Sequence, residues 1–296
     1  MTVKPGRLGV GIIGAGHVGP VLGSALRAAG HGIVGISASS DESRERADAM
    51  LPGVPVLEIP EIVERSELVL IAIPDDAIEP LVSGLAELGA WQGGQIVCHT
   101  SGAHGVGVLA AARGRGAIPL ALHPAMTFSG TSVDVARLVD CPFAVTAPAA
   151  VLPIGQALVV EMGGEPIVVE ESERGLYHAA LAHGANHLVT LVVQAGRALG
   201  DAGVAEPAKF MRPLLDAALD RALREGVAGL SGPVARGDAG TVGAHVRELS
   251  AREDLSDVAH TYIEMARATV QMLVADRRLT DREATAILAA LSLAAD

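Results

Sequence analysis

Several polar side chains fall at spacings that could do chemistry. His183, Asn186, His187 and Thr190 recur at i, i+3, i+4 and i+7, which puts them on one stripe of an α-helix. Leu181, Ala185, Leu188 and Val192 take the other side, so the helix reads as buried and its polar stripe needs a reason. An imidazole at His183 can donate a proton or polarise a carbonyl near neutral pH, with the Asn186 amide orienting it. The stripe fits hydrogen bonds across a helix or subunit interface equally well. His178 falls off the stripe and reads as structural. Upstream, Thr100, Ser101 and Gly102 could form a helix cap or hold a substrate carboxylate, while His123 either faces a cleft or bonds to backbone in the core. Arg236, in a turn-rich Ser231–Asp238 stretch, could clamp an anion or simply pair with Asp238. His99, His104 and His123 match no zinc-ligand spacing, so no metal is expected.

A second cluster concerns a cofactor. Gly14, Ala15, Gly16, His17, Val18 and Gly19 form a G-x-G-x-x-G after an apolar run and before a helix-like segment. In that context Gly14 permits the turn, Gly16 admits a pyrophosphate and Gly19 lets helix and sheet pack closely. Helix-start amides would face the phosphates. The next strand ends in Ser37, Ala38, Ser39 and Ser40, with Arg44 shortly after, where an NAD-preferring site usually ends in a carboxylate. Hydroxyls and a guanidinium suit a 2′-phosphate, so NADP is expected over NAD. Ile73, Pro74, Asp75 and Thr100, at neighbouring strand ends, complete the expected cofactor contacts. Asp75 and Asp76 serve equally well as helix caps.

Positioning these groups requires an alternating architecture. Apolar runs at Leu8–Ile13, Gly32–Ser37, Leu68–Ile73, Gln95–His99, Ala117–Leu122, Phe143–Thr146 and Pro166–Val169 predict strands, with helical segments such as Pro20–Ala29 and Asp76–Leu88 between them. The expected fold is an α/β Rossmann domain with a mostly parallel, doubly wound sheet. From Glu171 only helical periodicity remains: Glu173–Leu199, Ala208–Glu225, Val242–Leu249, Asp257–Ala275 and Asp281–Leu291. The expected domains are therefore a dinucleotide-binding domain over residues 1–170 and a helical domain over 171–296.

The 296 residues are 50% hydrophobic but only 2% aromatic, so aliphatic side chains must build the core. A net charge of -12 argues against nucleic-acid binding. The two cysteines make no disulfide framework. No signal-peptide core or membrane-length apolar run is present, so a cytoplasmic protein with a small-molecule substrate is expected.

Taken together, GAGHVG, IPDDAI, SGAHG, HPAMTF and GPVARGD resemble the Rossmann-like oxidoreductase family whose second domain is a domain of unknown function. That family is similar to pyrroline-5-carboxylate reductases, ketopantoate reductases and β-hydroxyacid dehydrogenases. The resemblance spans most of the chain. It implies an all-α second domain of the 6-phosphogluconate-dehydrogenase C-terminal type and a homodimer formed through it. It also implies NADP-linked hydride transfer to or from a small carboxylate-bearing carbonyl or imine, with a ketopantoate-like compound as the leading guess. The alternative is a noncatalytic dinucleotide-binding sensor or scaffold. The β-hydroxyacid dehydrogenases and ketopantoate reductases use a lysine on the first helix of the second domain, and the dehydrogenases place an asparagine three residues later. Here His183 stands in the lysine's place and Asn186 in the asparagine's, so the lysine's permanent charge is absent.

Overall fold

The computed structural model describes residues 7–292; residues 1–6 and 293–296, at the ends of the two expected domains, lie outside the described residues. The seven expected strands form one sheet: β1 (Gly9–Ile13), β2 (Gly32–Ser37), β3 (Leu68–Ile71), β4 (Ile96–His99), β5 (Ile118–Pro124), β6 (Pro142–Thr146) and β7 (Glu165–Val168). Their order is β2-β1-β3-β4-β5-β6-β7. Neighbours are parallel except β5 and β6, which are antiparallel. The order reverses direction between β1 and β3, the switch point where α/β sheets open a crevice at their carboxyl ends.

The central strands are buried on both faces, which is why they read as unbroken apolar runs, while the edge strand β7 is largely exposed. Leu68 and Leu70 point into a cluster with Leu22, Leu26 and Leu158. Val69 and Ile71, one residue out of phase, point the other way among Ile62, Ile78 and Trp91. The helices of this part are α1 (Gly19–Ala28), α2 (Asp41–Met50), α3 (Ile59–Arg65), α4 (Asp75–Glu87), α5 (Ala110–Arg113), α6 (Ser132–Arg137), α7 (Leu152–Glu161) and α8 (Arg174–Leu181).

The remainder is helical: α9 (His187–Asp201), α10 (Pro207–Glu225), α11 (Ala239–Ser250), α12 (Ser256–Ala275) and α13 (Asp281–Ser292). Val242, Val246, Val270, Leu273 and Ile287 form a core of their own for it. Among the described residues no helix is long and apolar enough to cross a membrane.

Two features differ from the sequence expectation. The compact units divide at Gly184/Ala185 rather than at 170/171. The reason is local: Glu171 accepts from Val106 N and Gly107 N, and Arg174 bonds to strand and loop oxygens, so α8 belongs to the sheet. The long predicted helix is also not uniformly α. Ala182–Asn186 form a π-turn between α8 and α9. Its wider turn breaks the i, i+3, i+4, i+7 stripe, because that spacing aligns side chains only at 3.6 residues per turn. Nor is α9 buried: none of its residues is.

Candidate functional site

The glycine loop is built by three different constraints. Gly14 has φ +106° and lies so close to β3 that a Cβ there would stand 2.3 Å from the Ala72 carbonyl oxygen. A Cβ at Gly19 would stand 2.1 Å from the Gly14 carbonyl oxygen. At Gly16 a Cβ would meet nothing within 4 Å. Protein neighbours therefore explain Gly14 and Gly19, while the space at Gly16 is left for something else. Ser37 Oγ accepts from Gly14 N at 3.0 Å and locks the turn.

The loop opens onto a cavity of about 770 Å³ lined by Gly14, Ala15 and Gly16, the β2 end and the start of α2. That volume lies within the ordinary range of ligand sites. Ser39, Ser40, Ser43, Arg44 and Arg46 form its polar side, with Val56, Ile59 and Leu81 among its apolar residues and Glu58 a carboxylate in its wall. Ser40 caps α2: its Oγ accepts from Ser43 N at 3.2 Å, and Ser43 Oγ accepts from Ser40 N at 2.9 Å. Arg44 reaches Asp41 at 3.4 Å, but Asp41 is solvent-facing and lines no part of the cavity. Arg46, not foreseen from the sequence, donates to the Ala15 carbonyl at 3.0 Å and so sits directly beside the loop.

A second cavity, about 290 Å³, shares Ala72, Ile73 and Pro74 with the first and continues along the strand ends. It is lined by His17, Val18, Asp75, Thr100, Ser101, Gly102, His123 and His178. Asp75 and Asp76 lie in the first turn of α4 with no side-chain cap bond, so the acidic pair complements the helix dipole without capping it. His178 was expected to be merely structural; instead its ring faces His123, with centroids 6.1 Å apart.

Beneath this cavity lies a tightly bonded set. His99 is fully buried: Nε2–H donates to the Gly105 carbonyl at 2.8 Å and Nδ1 accepts from Ser101 N at 3.2 Å. Burial lowers its pKa to about 4, so it is neutral at pH 7. Ser101 thus has its amide committed to His99, while its Oγ accepts from His104 N at 3.1 Å and keeps its own proton to donate. The His123 Nδ1 lies 2.8 Å from the Tyr177 hydroxyl, and the two rings meet edge to face. Burial, then the Arg174 charge, lower the His123 pKa to about 4.

Arg174 and Tyr177, one turn apart on α8, carry no sequence signal beyond an arginine and a tyrosine in an alanine-rich helix. Arg174 is 1% exposed. It donates to Thr146 Oγ1 at 2.8 Å and to the carbonyls of Ser101, Ala121 and Ala144 at 3.1–3.2 Å. Its guanidinium carbon also lies 5.9 Å from the centre of the Tyr177 ring.

Four expected residues line neither cavity: Gly19 packs against the Gly14 carbonyl inside the loop, and the other three lie elsewhere. His183 and Asn186 are exposed within the π-turn. Arg236 lies in the second unit, exposed in the turn Val234–Arg236 before α11. Asp238 caps that helix through Thr241 N at 3.0 Å. Among the described residues no group of histidine, cysteine or carboxylate side chains could hold a metal ion.

Comparison with known proteins gives two family matches: residues 1–124 to the Rossmann-like domain and residues 141–269 to the domain of unknown function DUF2520. No curated protein matches the chain. Among solved structures, BF3122 from Bacteroides fragilis, named as a candidate NADP oxidoreductase, superposes with a TM-score of 0.74 at 22% identity, over 89% of this chain and 98% of that one. Protein TM1727 from Thermotoga maritima gives 0.65 at 20% identity, over 90% and 99%. An imine reductase from Pseudomonas sp. gives 0.58 at 18% identity, over 98% and 94%. At these identities the likeness is one of fold.

Proposed function

We propose that this chain, a Rossmann-like domain joined to a DUF2520 domain, is a nicotinamide-dinucleotide-dependent oxidoreductase acting on a small carbonyl or imine compound that carries a carboxylate. The observation that carries the reading is the glycine loop: it is closed by protein at Gly14 and Gly19, open at Gly16, and faces a trough that runs on to His123. The kinship in fold with BF3122 and the imine reductase supports it.

The 14–19 loop would hold the pyrophosphate. Ser39, Arg44 and Arg46 would take a 2′-phosphate, favouring NADP over NAD. Ser40 contributes its position more than its hydroxyl, which caps α2. Ile73, Pro74, Asp75, Thr100, His17 and Val18 would border the nicotinamide end. Bound there, the dinucleotide supplies or accepts a hydride. The chain's own task is to position the substrate, polarise it and manage a proton. The Ser101 hydroxyl and Gly102 would orient the substrate, and His123 is the imidazole in the cavity wall. The alternative assignment, with His183 as proton donor, Asn186 as orienting amide and Arg236 as carboxylate clamp, draws on residues outside both cavities, and single variants test it against His123. A homodimer through the helical unit is also proposed, since Val189, Val193, Leu214 and Leu223 are exposed there.

The test is oxidation of NADPH by purified protein against a panel of 2-keto acids, 3-keto acids and cyclic imino acids. Turnover with at least one class is expected, falling about a hundredfold or more in H123N. NADPH binding without turnover on any of them would favour the noncatalytic reading. Unchanged turnover in H123N with loss in H183A would move proton transfer to His183.

A further inference from the structure

The reductase reading leaves open what chemical group the cavity is built to receive, and the His123–Tyr177 pair bears on that. His123 stands at the end of β5, with Nδ1 turned towards α8 and the opposite ring edge towards the cavity. Its Nε2 lies 2.9 Å from where a Cβ at Gly102 would be, and the His178 ring closes on the same point at 2.7 Å. Glycine at position 102 is what lets that nitrogen reach the space beside Ser101.

Among the described residues the Tyr177 hydroxyl has His123 Nδ1 as its hydrogen-bond partner. If Nδ1 carried the ring proton, it would occupy the phenol oxygen and leave the phenolic proton without a protein acceptor. If Tyr177 donates, Nδ1 is the acceptor and the ring proton sits on Nε2, facing the cavity. The charged and titratable groups around His123 are Arg174 and Tyr177 on α8, His178 beside them, Asp75 on α4 and His99 on β4. Burial and the Arg174 cation oppose a second proton on the ring, and the Asp75 carboxylate does not reverse them.

We propose that Tyr177 is a positioning residue that fixes His123 as the neutral Nε2–H tautomer, so that the cavity presents an N–H donor to a neutral carbonyl oxygen. A protonated imine has no lone pair on nitrogen and cannot accept that bond. Resting on the reductase reading, this narrows the substrate to one whose reducible double bond ends in an atom with a free lone pair, a carbonyl or a neutral imine, and excludes an iminium. As hydride adds to the carbonyl carbon, the C=O electron pair moves to oxygen. The oxygen takes the Nε2 proton, and Tyr177 O–H replaces it at Nδ1. The imidazole ends neutral, and the negative charge passes to the Tyr177 oxygen, where burial opposes it and the Arg174 cation favours it, until water reprotonates the phenolate.

The test is nitrogen NMR of the full chain with 15N-labelled histidine, the His123 signals being identified by their loss in H123N. At pH 7, and down to pH 5, His123 should show a protonated Nε2 and an unprotonated Nδ1. In Y177F the two nitrogens should shift towards each other as tautomers mix, and kcat on a keto acid should fall at least tenfold with KM little changed. An imidazolium pattern, an Nδ1–H tautomer, or an unmoved tautomer in Y177F would overturn the proposal. The tautomer is read without turnover, so its failure is distinct from failure of the reductase reading.

Discussion

At the scale of single residues, the three loop glycines are not equivalent, and substitution should separate them. Gly14→Ala must place a methyl group against the Ala72 carbonyl from a positive-φ backbone, and should cost roughly 2–4 kcal/mol in denaturant unfolding. Gly16→Ala meets no protein atom and should leave stability within about 0.5 kcal/mol while weakening dinucleotide binding. Equal loss of stability in both would remove the distinction. His99 makes a pH prediction. Its pKa falls from 6.5 unfolded to about 4 folded, so between those values the unfolded chain binds the extra proton. Stability from His99 is then complete above pH 6.5 and lost as pH falls towards 4, by up to about 3 kcal/mol. Thermal melts from pH 7.5 to 4 should show this slope, reduced in H99N, which can keep one of the two ring bonds.

At the scale of elements, Arg174 fastens α8 to the sheet by bonding oxygens from β5, β6 and the loop after β4. Arg174→Met keeps much of the volume but leaves those oxygens short of a donor, and should cost roughly 2–4 kcal/mol in chemical denaturation. A loss under 0.5 kcal/mol would mean the guanidinium is not what holds α8. The strands were legible because each is an apolar run of four to seven residues bounded by turn residues, and a sheet covered on both faces demands that pattern. The glycine loop, the serines after β2 and the polar ends of β3, β4 and β5 were legible for the same reason: topology puts strand ends on one edge. The π-turn was not legible, because helical periodicity presumes an α-helix on both sides of His183. Arg174 and Tyr177 were missed because a charged residue on a helix ordinarily faces water, and only three-dimensional packing shows this one at 1% exposure. The boundary shifted with them, since a continuous helical pattern does not say which core each turn serves.

At the scale of the whole molecule, apolar exposure is concentrated on the helical half. Phe210, Leu214, Leu219 and Leu223 on α10 are each at least 50% exposed, alongside Val189 and Val193 on α9. That much uncovered aliphatic surface fits an interface between copies. A dimeric mass in light scattering is expected, and L214E/L223E should shift it towards monomer; a monomeric wild type would contradict the expectation. The proposed selectivity of the dinucleotide site for a 2′-phosphate is best checked by thermal unfolding with NADPH and NADH in parallel, for wild type and R44A/R46A. At about a hundred times its dissociation constant, a ligand adds ~2.7 kcal/mol to stability. A clear rise in Tm is expected with NADPH, a smaller one with NADH, and loss of the difference in the double variant. No rise with either dinucleotide would contradict the proposed site.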